Sequence, residues 1–375
     1  MMLPKIKLKS QVVTVLLLLI TTCVHTQSLQ NRLEVLVDSV YNTNTDALGI
    51  LIHVESPDHK LSWTKAAGFS EKSRKQSLHP MQPVLLASNT KTYVAATILR
   101  LVEDTILQLD APIQKLLNTS TRMLLEKDGY DLTKITIRHL LSHTSGIHDY
   151  VNDDYFNLVI ERPQYDWTKQ EQIQRAIDIG KPLATPGTEF HYGDINYLLL
   201  TEIIETQTKK DFFTAMHELL NYEKLGLKHT WFKELQPTPK DLPPFAHQYA
   251  KNHQWDSYKL NDSWDKYGGG GMASTVKDAA LFYQYVFNSK IIKDKNVLKE
   301  MYTYVLPEKK SKYCLGIYHF DFGYHLYYHG GWWGTSVNYS PDTNTSIAVF
   351  TLVKEKRDIV NPFLGKKIHE IIDNL

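Results

Sequence analysis

A serine three residues ahead of a lysine can place a hydroxyl nucleophile beside an amine able to take its proton. The chemistry this would serve is acyl transfer, in which a base activates the hydroxyl and two donors hold the oxyanion. The sequence contains the pattern four times, at Ser62/Lys65, Ser88/Lys91, Ser263/Lys266 and Ser274/Lys277. Spacing alone does not choose among them. The element that carries each pair does.

Ser62 and Lys65 fall on the second arm of "LGILIHVESPDHKLSWTKAAGFS", two apolar runs around the turn residues Ser-Pro-Asp, which reads as a β-hairpin. An odd separation on a strand sends the two side chains to opposite faces, so this pair cannot cooperate. Ser88 and Lys91 lie in "LLASNTKTY", ahead of Val94, Ile98, Leu101 and Val102 at helical spacing. They open a helix and share one face, where the positive end of the macrodipole favours a developing anion. The plainer reading is that Ser88 only caps the helix. Ser263 and Lys266 sit in "LNDSWDKYGGGG", which has no periodicity to orient them. Ser274 and Lys277 also open a helix and are the serious rival, although Thr275 and Asp278 make a capping box there without catalysis. The glycines before them lack the Lys-Ser/Thr ending of a phosphate loop and read as flexibility or close packing.

The chain has 375 residues, 42% hydrophobic, enough for an ample core in two layers or two domains. Lys+Arg 42 against Asp+Glu 41 leaves a formal charge of +1, so no net field recruits nucleic acid or an anionic membrane. A small-molecule ester, amide or peptide substrate is expected. At the start, three lysines precede an apolar run from Val12 to Ile20 that is too short to span a bilayer, the pattern of an export signal over residues 1–26. Cleavage after Thr26 leaves Gln27 first; lipidation at Cys23 is the alternative, although threonine just before it fits a lipobox poorly. Either route places the mature protein outside the cytoplasm, periplasmic or secreted. Only Cys314 then remains, so neither disulfides nor a cysteine metal site is expected.

Strand signals stand at both ends, returning in "YCLGIYHF", "YHLYYHGG" and "TSVNYSPDTNTSIAVFTLV", with helical segments between and a terminal helix in "PFLGKKIHEIIDNL". This order suggests one sheet domain, closed by both termini, with a helical insertion. The expected division is 27–85 and 285–375 for the sheet part and 86–284 for the mainly helical part.

A tyrosine phenolate stabilised by Lys91 would be a natural partner in proton transfer. Tyr192 in "PGTEFHYGDINYLLLTEIIE" stands on a turn before a helix with Asp194 as its expected cap, while a packed aromatic is the plainer reading. In "YYHGGWWGTSV", Gly330 and Gly331 would let a substrate approach a strand edge closely. Ser88-Asn-Thr-Lys91, Tyr192-Gly-Asp194 and His329-Gly330-Gly331, in that order, resemble the three motifs of the class C β-lactamase and penicillin-binding serine hydrolase family. "HLLSHTSGIHDY" and "GGGGMASTVKD" resemble further family segments, and the likeness runs from about residue 30 to the C-terminus. The resemblance implies an α+β, β-lactamase/transpeptidase-like fold, an antiparallel sheet flanked by helices joined to an all-helical domain with the active site between them, without a cofactor. It implies Ser88 as nucleophile, Lys91 and Tyr192 moving its proton, and the backbone N–H groups of Ser88 and Trp332 as oxyanion hole. Motif order then sets Ser274 aside.

Two departures from the motifs bear on substrate. Many members have Lys-Thr-Gly where this chain has His329-Gly330-Gly331, which removes a fixed cation and a hydroxyl that would grip a substrate carboxylate. Weak recognition of β-lactams and D-Ala-D-Ala stems is therefore expected, with esterases and D-amino-acid peptidases as the relatives in point. Asp194 replaces the usual asparagine; as an ionised carboxylate it cannot donate to a substrate acyl group, and by pairing with Lys91 it would raise the lysine pKa. A noncatalytic homologue that binds ligand is the competing reading. Trp332 and Trp333 offer apolar surface for a hydrophobic acyl group or pack the strand edge. His139, His143 and His148 raise a metal site, but His139 is not followed by glutamate in the His-Glu-x-x-His manner, and no metal is expected.

Overall fold

The computed structural model describes residues 29–250 and 254–375; the leader over 1–26 and Cys23 lie outside the described residues. In chain order, helix α1 (29–43) leads into strands β1 (Gly49–Ser56), β2 (Leu61–Gly68) and β3 (Val84–Leu85). Then follow helices α2 (Thr90–Glu103), α3 (Thr119–Lys127), α4 (Ile137–Leu141), α5 (Asp153–Glu161), α6 (Lys169–Ile179), α7 (Asp194–Thr208), α8 (Phe212–Leu219) and α9 (Tyr222–Leu225). Strands β4 (Thr230–Phe232), β5 (Tyr249–Ala250), β6 (Trp255–Asp256) and β7 (Met272–Ser274) precede α10 (Val276–Phe287) and α11 (Lys295–Met301). The chain closes with β8 (Tyr318–Asp321), β9 (His325–Gly331), β10 (Thr335–Ser340), β11 (Thr345–Thr351) and α12 (Arg357–Asp373).

The main sheet has six antiparallel strands in the order β2-β1-β11-β10-β9-β8, so the chain's two ends meet where β1 pairs with β11, Ile52 opposite Val349. The predicted hairpin is β1–β2, and its turn at Pro57–His59 is released by Lys60 in the left-handed region. Strand β1 is buried along almost its whole length because helices cover both faces of the sheet, which is why it reads as a nearly continuous apolar run. On the outer face, Leu33 and Val37 of α1 and Val360, Leu364 and Ile368 of α12 pack on Ile50, Ile52, Ile347 and Val349. On the inner face, Leu51, Ala348 and Phe350 join one continuous core with α2, α7 and α10. A second, three-stranded sheet, β3-β7-β4, ties the segment before α2 to the stretch after the glycines.

Among the described residues, no helix is long and apolar enough to cross a membrane. The α+β class expected from the sequence is the one found.

Candidate active site

Ser88 lies in a tight turn, Ala87–Asn89, directly before α2, one step outside the regular helix expected for it. Ala87 has φ +47°, a left-handed conformation that costs an alanine about 1–2 kcal/mol. Neighbours hold it there. Leu86 N donates to Met272 O at 2.8 Å, Thr335 Oγ1 donates to Leu86 O at 2.8 Å, and the Asn89 amide lies 2.9 Å from both His329 O and Thr335 Oγ1. Buried Gln248 clips the same region from the other side, donating to Leu85 O and Trp333 O at 3.0 and 2.9 Å.

Lys91, wholly buried in the first turn of α2, spends its three ammonium hydrogens on three oxygens. They are Ser88 Oγ at 3.2 Å, Gly269 O at 2.8 Å and Asp194 Oδ1 at 2.5 Å. Burial alone would push this amine down, but Asp194, Tyr192 and Asp265 outweigh it and hold Lys91 above its ordinary value, the direction expected of the pairing with Asp194. Tyr192, still 38% exposed, stands beside them with its ring centre 5.0 Å from the Lys91 ammonium. Desolvation raises its phenol, the Lys91 charge draws it down, Asp194 raises it again, and the net shift is upward.

Asp194 is the first residue of α7 but makes no cap hydrogen bond, because its carboxylate turns to Lys91. Instead, Oδ1 of Asp149 accepts from Ile195 N at 3.1 Å. Asp265 completes the acidic surround, its carboxyl held well above the usual range by burial and by Asp194. The four glycines 268–271 exist for close packing: a Cβ on Gly270 would stand 2.0 Å from Asp265 Oδ2, and one on Gly269 2.8 Å from Asp194 Cγ.

Strand β9 forms the opposite wall. His329 is buried and neutral, its pKa lowered to about 3 by desolvation and by Lys91. Its Nδ1 faces Gly330 O at 2.8 Å, which can only accept, so Nε2 is left to accept from the Tyr313 hydroxyl at 3.1 Å. Gly331 approaches the nucleophile turn so closely that a Cβ would stand 2.1 Å from Leu86 O. Trp332 follows on the turn after β9, its ring packed against those of Phe156 and Trp255.

Other sequence candidates are accounted for elsewhere. Ser274 is buried in β7, 2.8 Å from Thr230 Oγ1. Thr275 caps α10, but the box is half made: the Asp278 carboxylate accepts from His229 N at 2.8 Å instead. Ser263 lies in a tight helical turn, accepting from Trp167 N, and Ser62 faces away from Lys65, which pairs with Asp38. His139 closes a capping box with Thr136, and His143 packs its ring 4.2 Å from that of Tyr192 while its Nδ1 accepts from Gly193 N. Among the described residues, no three of His, Cys, Asp and Glu cluster as metal ligands would. Residues without a local signature were missed: Asp149, Asp265, Gln248 and Arg357, whose guanidinium donates to Gly331 O at 3.0 Å while pairing with Asp358.

The chain is similar to known proteins in sequence and in fold. The chain is 30% identical over 207 residues to Protein flp of Staphylococcus aureus (strain MW2), a match covering 54% of this chain and 36% of that protein. It is 22% identical over 234 residues to D-alanyl-D-alanine-carboxypeptidase/endopeptidase AmpH of Escherichia coli (strain K12), covering 62% and 56%. These matches thus span from about a third to a little over half of the relatives' own length. Among solved structures, a D-stereospecific amidohydrolase from Streptomyces sp. superposes with a TM-score of 0.70 at 25% identity, covering 88% of this chain and 94% of that one. The D-amino acid amidase of Ochrobactrum anthropi SV3 reaches 0.75 at 20% identity, covering 92% and 99%. EstCE1, a hydrolase with promiscuous acyltransferase activity, reaches 0.73 at 17% identity, covering 93% and 99%, and these last two likenesses speak to the fold alone. The family described as Beta-lactamase matches residues 43–363. With the three motifs gathered around Lys91 and that match spanning most of the sequence, the chain belongs to the beta-lactamase family.

Proposed function

We propose that the protein is an exported serine hydrolase that cleaves an ester or amide bond through an acyl-enzyme on Ser88. The observation that carries this reading is the triangle of Ser88, Lys91 and Tyr192, in which a buried ammonium touches the serine oxygen and stands 5.0 Å from the tyrosine ring, whose phenol it draws down. Because Lys91 is held protonated with all three hydrogens engaged, it is not the group that takes the serine proton. In this reading Tyr192 is, acting as a phenolate that Lys91 stabilises electrostatically.

Ser88 Oγ then bonds to the acyl carbon as its proton passes to Tyr192. The backbone N–H groups of Ser88 and Trp332 hold the oxyanion. The bond to the leaving group breaks, the leaving alcohol or amine takes the proton from Tyr192, and water repeats the sequence in reverse to free the acid and Ser88. A phenol pushed upward is scarcely ionised near neutral pH, which favours esters, with their better leaving groups, over amides. Neutral His329 and an Arg357 already committed to Asp358 support weak recognition of β-lactams and D-Ala-D-Ala stems. The leader pattern in residues 1–26 supports export.

The test is hydrolysis of p-nitrophenyl butyrate by the purified protein beside Ser88→Ala, with a serine-directed phosphonate as label. Activity lost by about a thousandfold in the variant, and a mass increment on Ser88, is expected. Equal rates in the two proteins would remove Ser88 from the mechanism. The ion pair that quiets Lys91 favours one second reading, a ligand-binding homologue without turnover, and absence of phosphonate labelling would support it.

A further inference from the structure

His143 stands where a glycine is usual. Helix α4 closes with Thr144 N donating to His139 O at 2.9 Å and His143 N to Leu140 O at 3.3 Å, a turn that sets His143 at φ +57°. Glycine enters that left-handed conformation freely and most side chains resist it. The imidazole is also wholly buried. Its Nδ1 faces two donors, Gly193 N at 3.2 Å and Asn196 Nδ2 at 3.3 Å, the second fixed as a donor by its bond to Gly193 O at 3.1 Å. The ring hydrogen therefore lies on Nε2, where it has no partner. A left-handed backbone and an unmet buried donor are both unfavourable, and one residue carries the two.

What they accompany is contact with the segment that carries Tyr192. Three consecutive residues meet His143 in turn: His191 N donates to His143 O at 2.9 Å, the Tyr192 ring lies 4.2 Å from the imidazole at 34°, and Gly193 N donates to Nδ1. Leu183 N and Gly187 N bond to Gly146 O and Thr144 O at 2.8 Å each, which fastens this loop only farther back. Tyr192 is partly open to solvent, so its placement depends on its covered side. There the imidazole is the nearer ring, with Tyr313 edge-on at 6.0 Å. Burial and the Lys91 charge hold the imidazole pKa well below its ordinary value, which keeps Nδ1 an acceptor in mild acid.

We infer that His143 is a positioning residue, which clamps the 191–193 segment so that the Tyr192 phenol stays in register with Ser88 and Lys91. The inference rests on the hydrolase reading, in which Tyr192 takes the serine proton, and it names the group that keeps that tyrosine in place. His143 acts only through Tyr192. A reacting group misplaced by about 1 Å can cost on the order of a hundredfold in rate, so the clamp bears on turnover more than on substrate binding.

The experiment separates acceptor from ring. His143→Phe keeps an aromatic face on Tyr192 and removes the acceptor, while His143→Asn keeps an acceptor for Gly193 N and suits a left-handed backbone. On p-nitrophenyl butyrate, His143→Phe should lose about thirtyfold in kcat with KM changed by less than about twofold, and His143→Asn should recover to within about fivefold of the parent. Added to Tyr192→Phe, His143→Phe should cost nothing more. Hydrogen exchange of the 191–193 amides, which needs no turnover, should quicken about tenfold in His143→Phe and stay near the parent in His143→Asn. Should His143→Phe fold poorly, His143→Gly, which relieves the turn and also lacks the acceptor, carries the same expectations. A parent without Ser88-dependent turnover would sink the hydrolase reading, and exchange would then uphold or overturn the clamp by itself. Full kcat in the variants that lack the acceptor, a loss confined to KM, a further loss on top of Tyr192→Phe, or unchanged exchange would each overturn the assignment.

Discussion

Asp194 governs the charge balance around Ser88. Its carboxylate raises both Lys91 and Tyr192, so it works against formation of the phenolate that the proposed mechanism needs. In Asp194→Asn both partners fall, and the alkaline rise of kcat/KM on p-nitrophenyl butyrate moves toward neutral pH. A shift of about one pH unit, on the order of a tenfold gain at pH 7, is expected. A profile that stays in place, or moves to higher pH, would contradict the assignment of Tyr192 as proton acceptor. At this scale the sequence was informative wherever chemistry is local. Ser88, Lys91, Tyr192, Asp194 and His329 announce themselves by type, order and spacing. Asp149, Asp265 and Arg357 do not, because each is an ordinary charged residue brought to the cleft by packing between distant segments. The upward direction of the Lys91 shift was legible through Asp194, while the added pull of Asp265 was not, since it comes from a distant segment.

Elements show a related trade. An aspartate in the first turn reads as a cap, and Asp194 would serve as one were Lys91 not there to draw it off. Helix α7 borrows Asp149 instead, whose pKa is pushed up to about 8 by burial and by the nearby Asp194 charge. A carboxyl raised on folding binds an extra proton in the native state. The stability it contributes is full below the unfolded value near 3.8 and is lost as pH rises through about 8. Buried neutral histidines act oppositely but only below about 6.5, where the unfolded chain gains protons that His329 and His369, lowered to about 3 and about 4, refuse. Thermal midpoints should therefore decline between pH 6.5 and 8.5. Asp149→Asn, which keeps an acceptor for Ile195 N, should flatten that decline, leaving the part due to Asp265; an unchanged slope would show that Asp149 does not hold the proton. The hairpin and the long helices were readable from periodicity. The left-handed Ala87 was not, since alanine carries no signal for that conformation and the surrounding hydrogen bonds alone impose it.

For the whole molecule, closure of the sheet by both chain ends makes the C-terminal helix a structural requirement rather than an appendage. Val360, Leu364, Ile368 and Ile372 are buried against the outer face, at about 1.5–3 kcal/mol each. Together they approach the entire net stability of a domain, about 5–15 kcal/mol. A chain ending at Lys356 should thus lose cooperative unfolding in circular dichroism; a soluble, cooperatively melting truncation would show that the core does not depend on α12. The strand-helix-strand order made this layout legible in advance. The β1–β11 pairing also sets a clock. Ile52 and Val349 are about 300 residues apart, and a ribosome adding ~5–20 residues per second takes on the order of 15–60 s to supply the second after the first. Throughout that interval the first hairpin has no central neighbour, so the growing chain stays unfolded long enough to be threaded or captured before its native form becomes attainable.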